Sequence, residues 1–301
     1  MNNGAKKTSD SKKISMLNVK NSFTGFLFCF PAIAGLMVFF AVPFGICVFL
    51  SLTENTGSGV FVGFANYKDI LASAAFRLAA WNTFRFNAAA VPLIMVFSFC
   101  VALMLHQKLK GYEFFRAIFI FPLVLPAASV VLFFQMVFGG SGMLNGLLEK
   151  FGLPAADWFG SGASFPVLVA LYVFKNCGYN IILFLSALNS VPKEYSEAAC
   201  LDGANRMARM TKITLPLIFP YSFFILVISI INSFRSFREA YMLFGNYPDG
   251  GVYMLQHFMN NNFGSLNYTR LACGAIIIFA MIFVFVSVLL RLGSRNGDIE
   301  L

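Results

Sequence analysis

Charge is scarce in this chain. Only 12% of its 301 residues are Asp, Glu, Lys or Arg, about half the share found in a soluble domain, so an aqueous globular surface is excluded for most of the length. Acids are scarcer than bases, 13 against 22, which leaves a net charge of +9. The only histidines, His106 and His257, fall in segments expected on opposite sides of a membrane, so they cannot share a metal. The six cysteines, Cys29, Cys47, Cys100, Cys177, Cys200 and Cys273, stand singly and mostly in apolar runs. Such thiols behave as small hydrophobes, and no spacing suggests zinc or a disulfide set. A Gly-x4-Gly-Lys-Ser/Thr loop is missing, which excludes a phosphate cradle of that kind. Heptads, an internal repeat and a separate soluble domain are also lacking.

Apolar and aromatic residues take the place of charge. They make up 58% and 17% of the chain, with 38 Phe. They gather in six runs, at about 23–52, 83–105, 114–138, 165–188, 217–241 and 271–292. Each is near the ~20 residues that cross a bilayer. The first is too long for a signal-peptide core and shows no cleavage site, so it is expected to stay as a membrane helix, bent at Pro31 and Pro43. The third carries Phe121-Pro122 and Leu125-Pro126 and is expected to kink there. About fourteen of the 22 Lys and Arg fall in the tails and alternate loops, which by the positive-inside rule predicts both termini in the cytoplasm. Nucleic acid is the usual partner of a basic chain, but here the bases flank apolar runs. The expected fold is all-α: a cytoplasmic tail over 1–21, a six-helix membrane domain over 22–292 and a second tail over 293–301. Outer loops are expected at 53–81, with a short interfacial helix near 67–80, at 139–164 and at 245–268.

One polar island interrupts the pattern at about 190–216. Ser190, Val191 and Pro192 read as a helix start, Glu194 and Glu197 suit the positive end of a helix dipole, and Gly203 reads as a helix stop. Arg206, Arg209 and Lys212 follow. This predicts a cytoplasmic helix of about ten residues, ~15 Å long, with a small-residue patch at Ala198 and Ala199.

Glu197-Ala198-Ala199, then Gly203, Ile213 and Leu215-Pro216, resembles the EAA loop of permease subunits in binding-protein-dependent ABC importers. Pro192, Glu194, Tyr195, Asp202 and Ala204 resemble the carbohydrate-uptake, MalF/UgpA-like branch. The likeness continues in Phe115-Arg116, Phe121-Pro122, Leu125-Pro126, Gly142, Asn145, Trp158, Gly178 and Tyr179, covering about residues 20–292. Met207 and Met210 depart from it where large aromatics are common, as does the Gly-rich turn from Gly245 to Gly251. The resemblance implies that Glu194, Glu197, Ala198, Ala199, Leu201, Asp202 and Gly203 form a coupling helix docking on a separate ATP-binding subunit. It also implies a type I importer permease fold, with a second homologous permease, two ATP-binding subunits and an extracytoplasmic solute-binding protein as partners. ATP and Mg would sit on the ATP-binding subunits, with no cofactor on this chain, and the chain would be a transport subunit of the inner cell membrane, not an enzyme.

Polar groups at membrane depth are candidates for a solute pathway. Lys175 lies near the middle of the fourth run, and Asn176, Tyr179 and Asn180 follow at helical spacing, expected on one face. Asn232, Ser233, Phe234, Arg235, Ser236 and Phe237 form a polar-aromatic patch in the outer half of the fifth run. Aligned through Pro248, Ser233 to Ser236 fall where maltose-permease-like relatives place a substrate patch. Amides and guanidinium bond sugar hydroxyls, and aromatic faces cover C–H surfaces. Each also has a structural alternative: Lys175 can pair with a partner subunit, Arg235 can pair with Glu239, and Arg238 can snorkel to headgroups. The expected function is half of the pathway of an ATP-driven importer for a sugar, oligosaccharide or glycerophosphate-like solute. The alternatives are a self-sufficient secondary transporter or channel, which should carry intramembrane acids and a doubled architecture, and an intramembrane enzyme, which needs a nucleophile–base or metal constellation. The spans are nearly free of acids, Glu239 lying near an end, six helices without a repeat make half a pathway, and no nucleophile–base or metal constellation is apparent.

Overall fold

The computed structural model describes residues 25–54, 59–107, 110–160, 162–235 and 237–295; for 235, 237 and 292–295 the description is of the backbone alone. Its architecture is all helical, as expected of a chain whose apolar runs must satisfy every backbone group internally. The helices are α1 (Gly25–Ser51), α2 (Ala65–Ala72), α3 (Ala74–His106), α4 (Tyr112–Val124), α5 (Ala127–Phe138), α6 (Met143–Lys150), α7 (Ser164–Ser190), α8 (Lys193–Leu201), α9 (Arg206–Arg209), α10 (Leu215–Arg235), α11 (Phe237–Phe244), α12 (Leu255–Gly264) and α13 (Tyr268–Arg295). Six stretches among the described residues are long and apolar enough to cross a membrane: Gly25–Ser51, Ala74–His106, Ala127–Lys150, Ser164–Ser190, Arg206–Phe234 and Tyr268–Arg291.

Several expected boundaries move. The predicted interfacial helix at 67–80 is the shorter α2, and the second span starts at Ala74, nine residues before the expected 83. The kink expected at Pro126 is a break: Leu125 and Pro126 are extended, with ψ of 138° and 147°, because the ring and missing N–H of proline end the helix before it. The loop expected at 139–164 contains α6, and that at 245–268 contains α12. The fifth span begins at Arg206, so Arg206, Arg209 and Lys212 are helical. Its helix is described to Arg235, and the chain is again helical from Phe237 as α11.

Two wide π turns share one cause. In α1 the turn Met37–Ala41 closes with Val42 N–H on Met37 O, and Pro43 follows. At the start of the fifth span, Met210–Thr214 closes with Leu215 N–H on Met210 O, and Pro216 follows. Each proline lacks an N–H and crowds the carbonyl one turn back. Widening that turn relieves the crowding while the helix runs on.

The chain forms two compact units. The first joins the segment through Tyr67 to Tyr268–Ile276. In it Ser51 and Tyr67 share a hydroxyl–hydroxyl bond of 2.6 Å, Asn66 Nδ2 donates to Ser51 O and Thr53 O at 3.0 and 2.8 Å, and Cys273 Sγ donates to Ser51 O. The polar end of α1 is thereby held to the start of α2 and to Cys273 of α13.

In the second unit, Lys68–Asn267 with Ile277–Leu301, α3 and α7 form the core. Phe86, Ile94 and Ala102 of α3 meet Tyr172, Ile181 and Phe184 of α7. Small residues permit the close approach that packing between membrane helices depends on. At Gly178 a Cβ would lie 2.7 Å from Phe119 O and 3.0 Å from Ile120 Cα, so only glycine lets α4 lie this close to α7. At one end His106 Nδ1 meets Asn189 Oδ1 at 3.2 Å, joining the ends of α3 and α7. At the other, Asn82 Nδ2 donates to Gly250 O and Tyr253 O, and Thr83 Oγ1 accepts from Leu255 N–H at 3.0 Å. The loop around α6 is gathered by the buried Asn145. Its Nδ2 donates to Gly140 O and Ala156 O, and its Oδ1 accepts from Ala156 N–H and Trp158 Nε1–H at 3.0 and 2.9 Å.

Candidate functional site

Three helices and the end of a fourth surround a polar cleft of about 530 Å³ in the second unit. Its lining is Asn176 and Tyr179 from α7, Ile228, Ile231 and Asn232 from α10, Leu123 from α4 and Glu239 from α11. Asn176 and Tyr179 lie three apart, so one face of α7 carries both. Asn176 Nδ2 donates to Tyr172 O at 2.9 Å, which fixes the amide against its own helix. Beneath the cleft, Lys175 Nζ donates to Glu239 Oε1 in an ion pair between α7 and α11. Glu239 is buried and the Lys175 side chain is 18% exposed. The partner of Lys175 is therefore in its own chain, and the acid beside Arg235 is engaged by Lys175. Glu239 itself lines the cleft, whereas the sequence reading named it as a pairing partner for Arg235 and not as a cleft residue. Its signal was available: it follows Asn232 by seven residues, two helical turns.

Asn180, one turn on from Asn176, is not in the lining of the cleft. It is buried, and its Nδ2 donates to Ser229 Oγ at 2.8 Å. Ser229 Oγ donates to Ile225 O, and Ser229 O accepts from Tyr172 Oη at 3.0 Å, so Ser229 ties α7 to α10. Ser233 is likewise buried and donates to Asn87 Oδ1 on α3. Phe234 faces a separate apolar groove among Phe84, Val91, Ile230 and Phe285, and its carbonyl accepts from Gln256 Nε2. Ser236 and the side chains of Arg235 and Phe237 lie outside the described residues.

The polar island folds as its residues predict. Pro192 is the extended residue before α8 (ψ 134°), and Glu194 stands in the first turn. At the other end Gly203 takes φ +80°. Gly203 N–H bonds Cys200 O at 3.1 Å and Ala204 N–H bonds Ala199 O at 2.9 Å, the paired bonds of a left-handed helix stop. No residue of α8 is buried. Glu194, Glu197, Ala198, Asp202 and Gly203 are exposed, Ala199 is half-buried, and Leu201 is 91% exposed. An apolar side chain this bare on a folded helix is what a docking surface supplies. Arg209 Nη1 donates to Ser196 Oγ at 3.2 Å, and Asn205 Oδ1 caps α9 by accepting from Ala208 N–H at 2.8 Å. Arg209 was read as part of the island, but its bond to Ser196 and the cap by Asn205 were not foreseen, though an Asn three residues before a backbone N–H is a recognisable cap.

Helices that cross a membrane, a polar cleft between them and a bare helix at one end define an integral membrane transport subunit. Residues 94–296 match the family described as binding-protein-dependent transport system inner membrane component, and the chain belongs to that family. It is 31% identical over 289 residues to the arabinooligosaccharides transport system permease protein AraP of Bacillus subtilis (strain 168), covering 91% of this chain and 90% of that one. It is 27% identical to the trehalose/maltose transport system permease protein MalF of Thermococcus litoralis, covering 96% and 100%. A chain in the crystal structure of a bacterial alginate ABC transporter, in complex with an alginate pentasaccharide-bound periplasmic protein, has the same fold, with a TM-score of 0.84 at 19% identity over 94% of this chain and 98% of that chain.

Proposed function

We propose that this chain forms half of the translocation pathway of an ATP-driven importer for a sugar or oligosaccharide. The cleft carries the reading: Asn176, Tyr179, Asn232 and Glu239 offer amide, phenol and carboxylate groups beside the apolar Leu123, Ile228 and Ile231. A sugar has the matching pair of surfaces, hydroxyls around its rim and C–H groups on its faces, and such mixed linings orient small ligands. The names of AraP and MalF, which refer to arabinooligosaccharides and to trehalose and maltose, support the same class.

In this reading a second homologous permease completes the pathway, and two ATP-binding subunits carry ATP and Mg. An extracytoplasmic solute-binding protein delivers the solute across the cytoplasmic membrane's outer face, and both termini lie inside. α8, with Glu194, Glu197, Ala198, Ala199, Leu201, Asp202 and Gly203, docks on the ATP-binding subunit. The exposure of all but Ala199 and the bare Leu201 support that role. Closure of the ATP-binding pair drives the two copies of this helix together and rocks the bundles as rigid bodies, so the cleft faces alternate sides.

The test is a tagged pull-down from gently solubilised membranes, with mass spectrometry of what accompanies the chain. A second six-helix permease and an ATP-binding subunit are expected. Recovery of this chain alone, in a detergent shown to preserve such complexes, would overturn the assignment in favour of a self-sufficient transporter.

A further inference from the structure

We propose that Glu239 makes the cleft exclude anions, so that the solute it accepts carries no negative charge. The inference rests on the reading of the cleft as part of the pathway. The cleft is lined by two amides, one phenol, three aliphatic side chains and one carboxylate. No Lys, Arg or His stands in that lining among the described residues. Glu239 has a cation, Lys175, but Lys175 meets Oε1 without itself lining the cleft. Of the pair, Glu239 lines the cleft and Lys175 does not, although the Lys175 side chain is the more exposed of the two at 18%. Charge at the wall of a cleft in a poorly polarisable surround is screened less than at an open surface, and clefts lined by one sign concentrate the field.

The consequence for a ligand follows from donors and acceptors. A hydroxyl donates to the carboxylate or to an amide oxygen and gains a charge-assisted bond. A uronate or phosphate brings acceptors only and meets a like charge. Nothing described in the lining offsets that repulsion with a fork of cationic donors, the usual device for holding such groups. Glu239 is therefore a specificity-determining residue that favours hydroxyl-rich solutes without negative charge, and Lys175 is its positioning residue.

The potential can be read without knowing the solute. Asn232→Cys is placed in the assembled transporter and treated with two methanethiosulfonate reagents of similar size, one bearing trimethylammonium and one bearing sulfonate. The peptide containing position 232 is followed by mass spectrometry, and each rate is divided by that for a free thiol. The cationic reagent should be favoured roughly five- to tenfold, the ratio for a cleft potential near one kT. In the Lys175→Gln, Glu239→Gln pair, which keeps a hydrogen bond and removes both charges, the ratio should fall close to one. The paired change is used because Glu239→Gln alone leaves a buried ammonium without its counter-ion. Should that pair not assemble, the ratio in the chain with Glu239 intact decides the matter. A ratio near one or below it there overturns the charge assignment. The reading of the cleft is tested separately: if Asn176→Leu and Asn232→Leu leave solute uptake unchanged, the pathway is elsewhere, whatever the reagent ratio.

Discussion

Asn180 Nδ2 donates to Ser229 Oγ at 2.8 Å, while Asn176, one turn earlier on the same helix, lines the cleft. Two identical side chains four residues apart thus face different surroundings, one a neighbouring helix and one the cleft. Asn180→Leu should lower the thermal stability of the purified transporter and leave solute affinity near normal. In a double-mutant cycle with Ser229→Ala the coupling should be about 0.6 kcal/mol, the usual size for polar contacts between membrane helices. Asn176→Leu should do the reverse, raising the KM for uptake while the melting temperature holds. Equal effects of the two changes on both readouts would contradict the division.

Gly178 sits where α4 presses on α7. A methyl group there would meet Phe119 O at 2.7 Å, and that atom is backbone, so it cannot swing aside. Gly178→Ala should cost about 1–3 kcal/mol, the range for overpacking, seen as a lower melting temperature and less assembled transporter on size-exclusion chromatography. Gly178→Val should be worse. An Ala variant of full stability would mean that α4 is not held in this register.

Gly203 differs in kind. Nothing lies within 4 Å of the position a Cβ would occupy, and the demand comes from φ +80° alone. Gly203→Val should therefore weaken the end of α8 by about 1–2 kcal/mol through backbone strain, and Gly203→Asn, which enters that region more readily, should be milder. If α8 transmits the ATPase stroke, solute moved per ATP hydrolysed in proteoliposomes should fall in the order Gly, Asn, Val. Gly203→Asp or Gly203→Val with normal uptake would remove the helix from the coupling path.

His257 sets a pH dependence. It is fully buried on α12, outside the spans, and its Nδ1 accepts from Met254 N–H at 3.2 Å. Burial lowers its pKa to about 4 from the ordinary 6.5. The unfolded segment thus binds the proton more readily than the folded one. Its stabilising contribution is complete above about pH 6.5 and is lost progressively as pH falls toward 4. Protection of the α12 amides, taken relative to the intrinsic exchange rate at each pH, should fall over that interval, and His257→Phe should flatten the dependence. A flat profile in the parent chain would contradict the burial argument.

The apolar runs made the six spans legible, because length and composition decide whether a segment can cross a bilayer. Helix ends were less legible. Residues 74–80 read as the end of an interfacial helix outside the second run, yet Asn82 and Thr83 spend their side chains on backbone around 250–255, a contact no local pattern shows. The polar island read well because a cap and a stop are local chemistry. Asn176, Tyr179 and Asn232 were legible as polar groups in apolar runs, and the structure brings them together. Asn180 and Ser233 carried the same signal but are spent on Ser229 and Asn87. Sequence alone cannot tell a polar side chain that faces a cleft from one that faces a neighbouring helix.

The tie from Arg209 to Ser196 gives α8 a mechanical attachment. Arg206 begins a helical line that runs to Arg235 through the π turn at Met210–Thr214, about 45 Å at ordinary rise. Asn232 is near its far end. Load on α8 therefore enters a single long lever, whose opposite arm is one wall of the cleft. If α8 docks as proposed, a tilt of that lever would carry α7 and α3 with it, because Ser229 and Ser233 tie it to Asn180 and Asn87, so the bundle would move as one body.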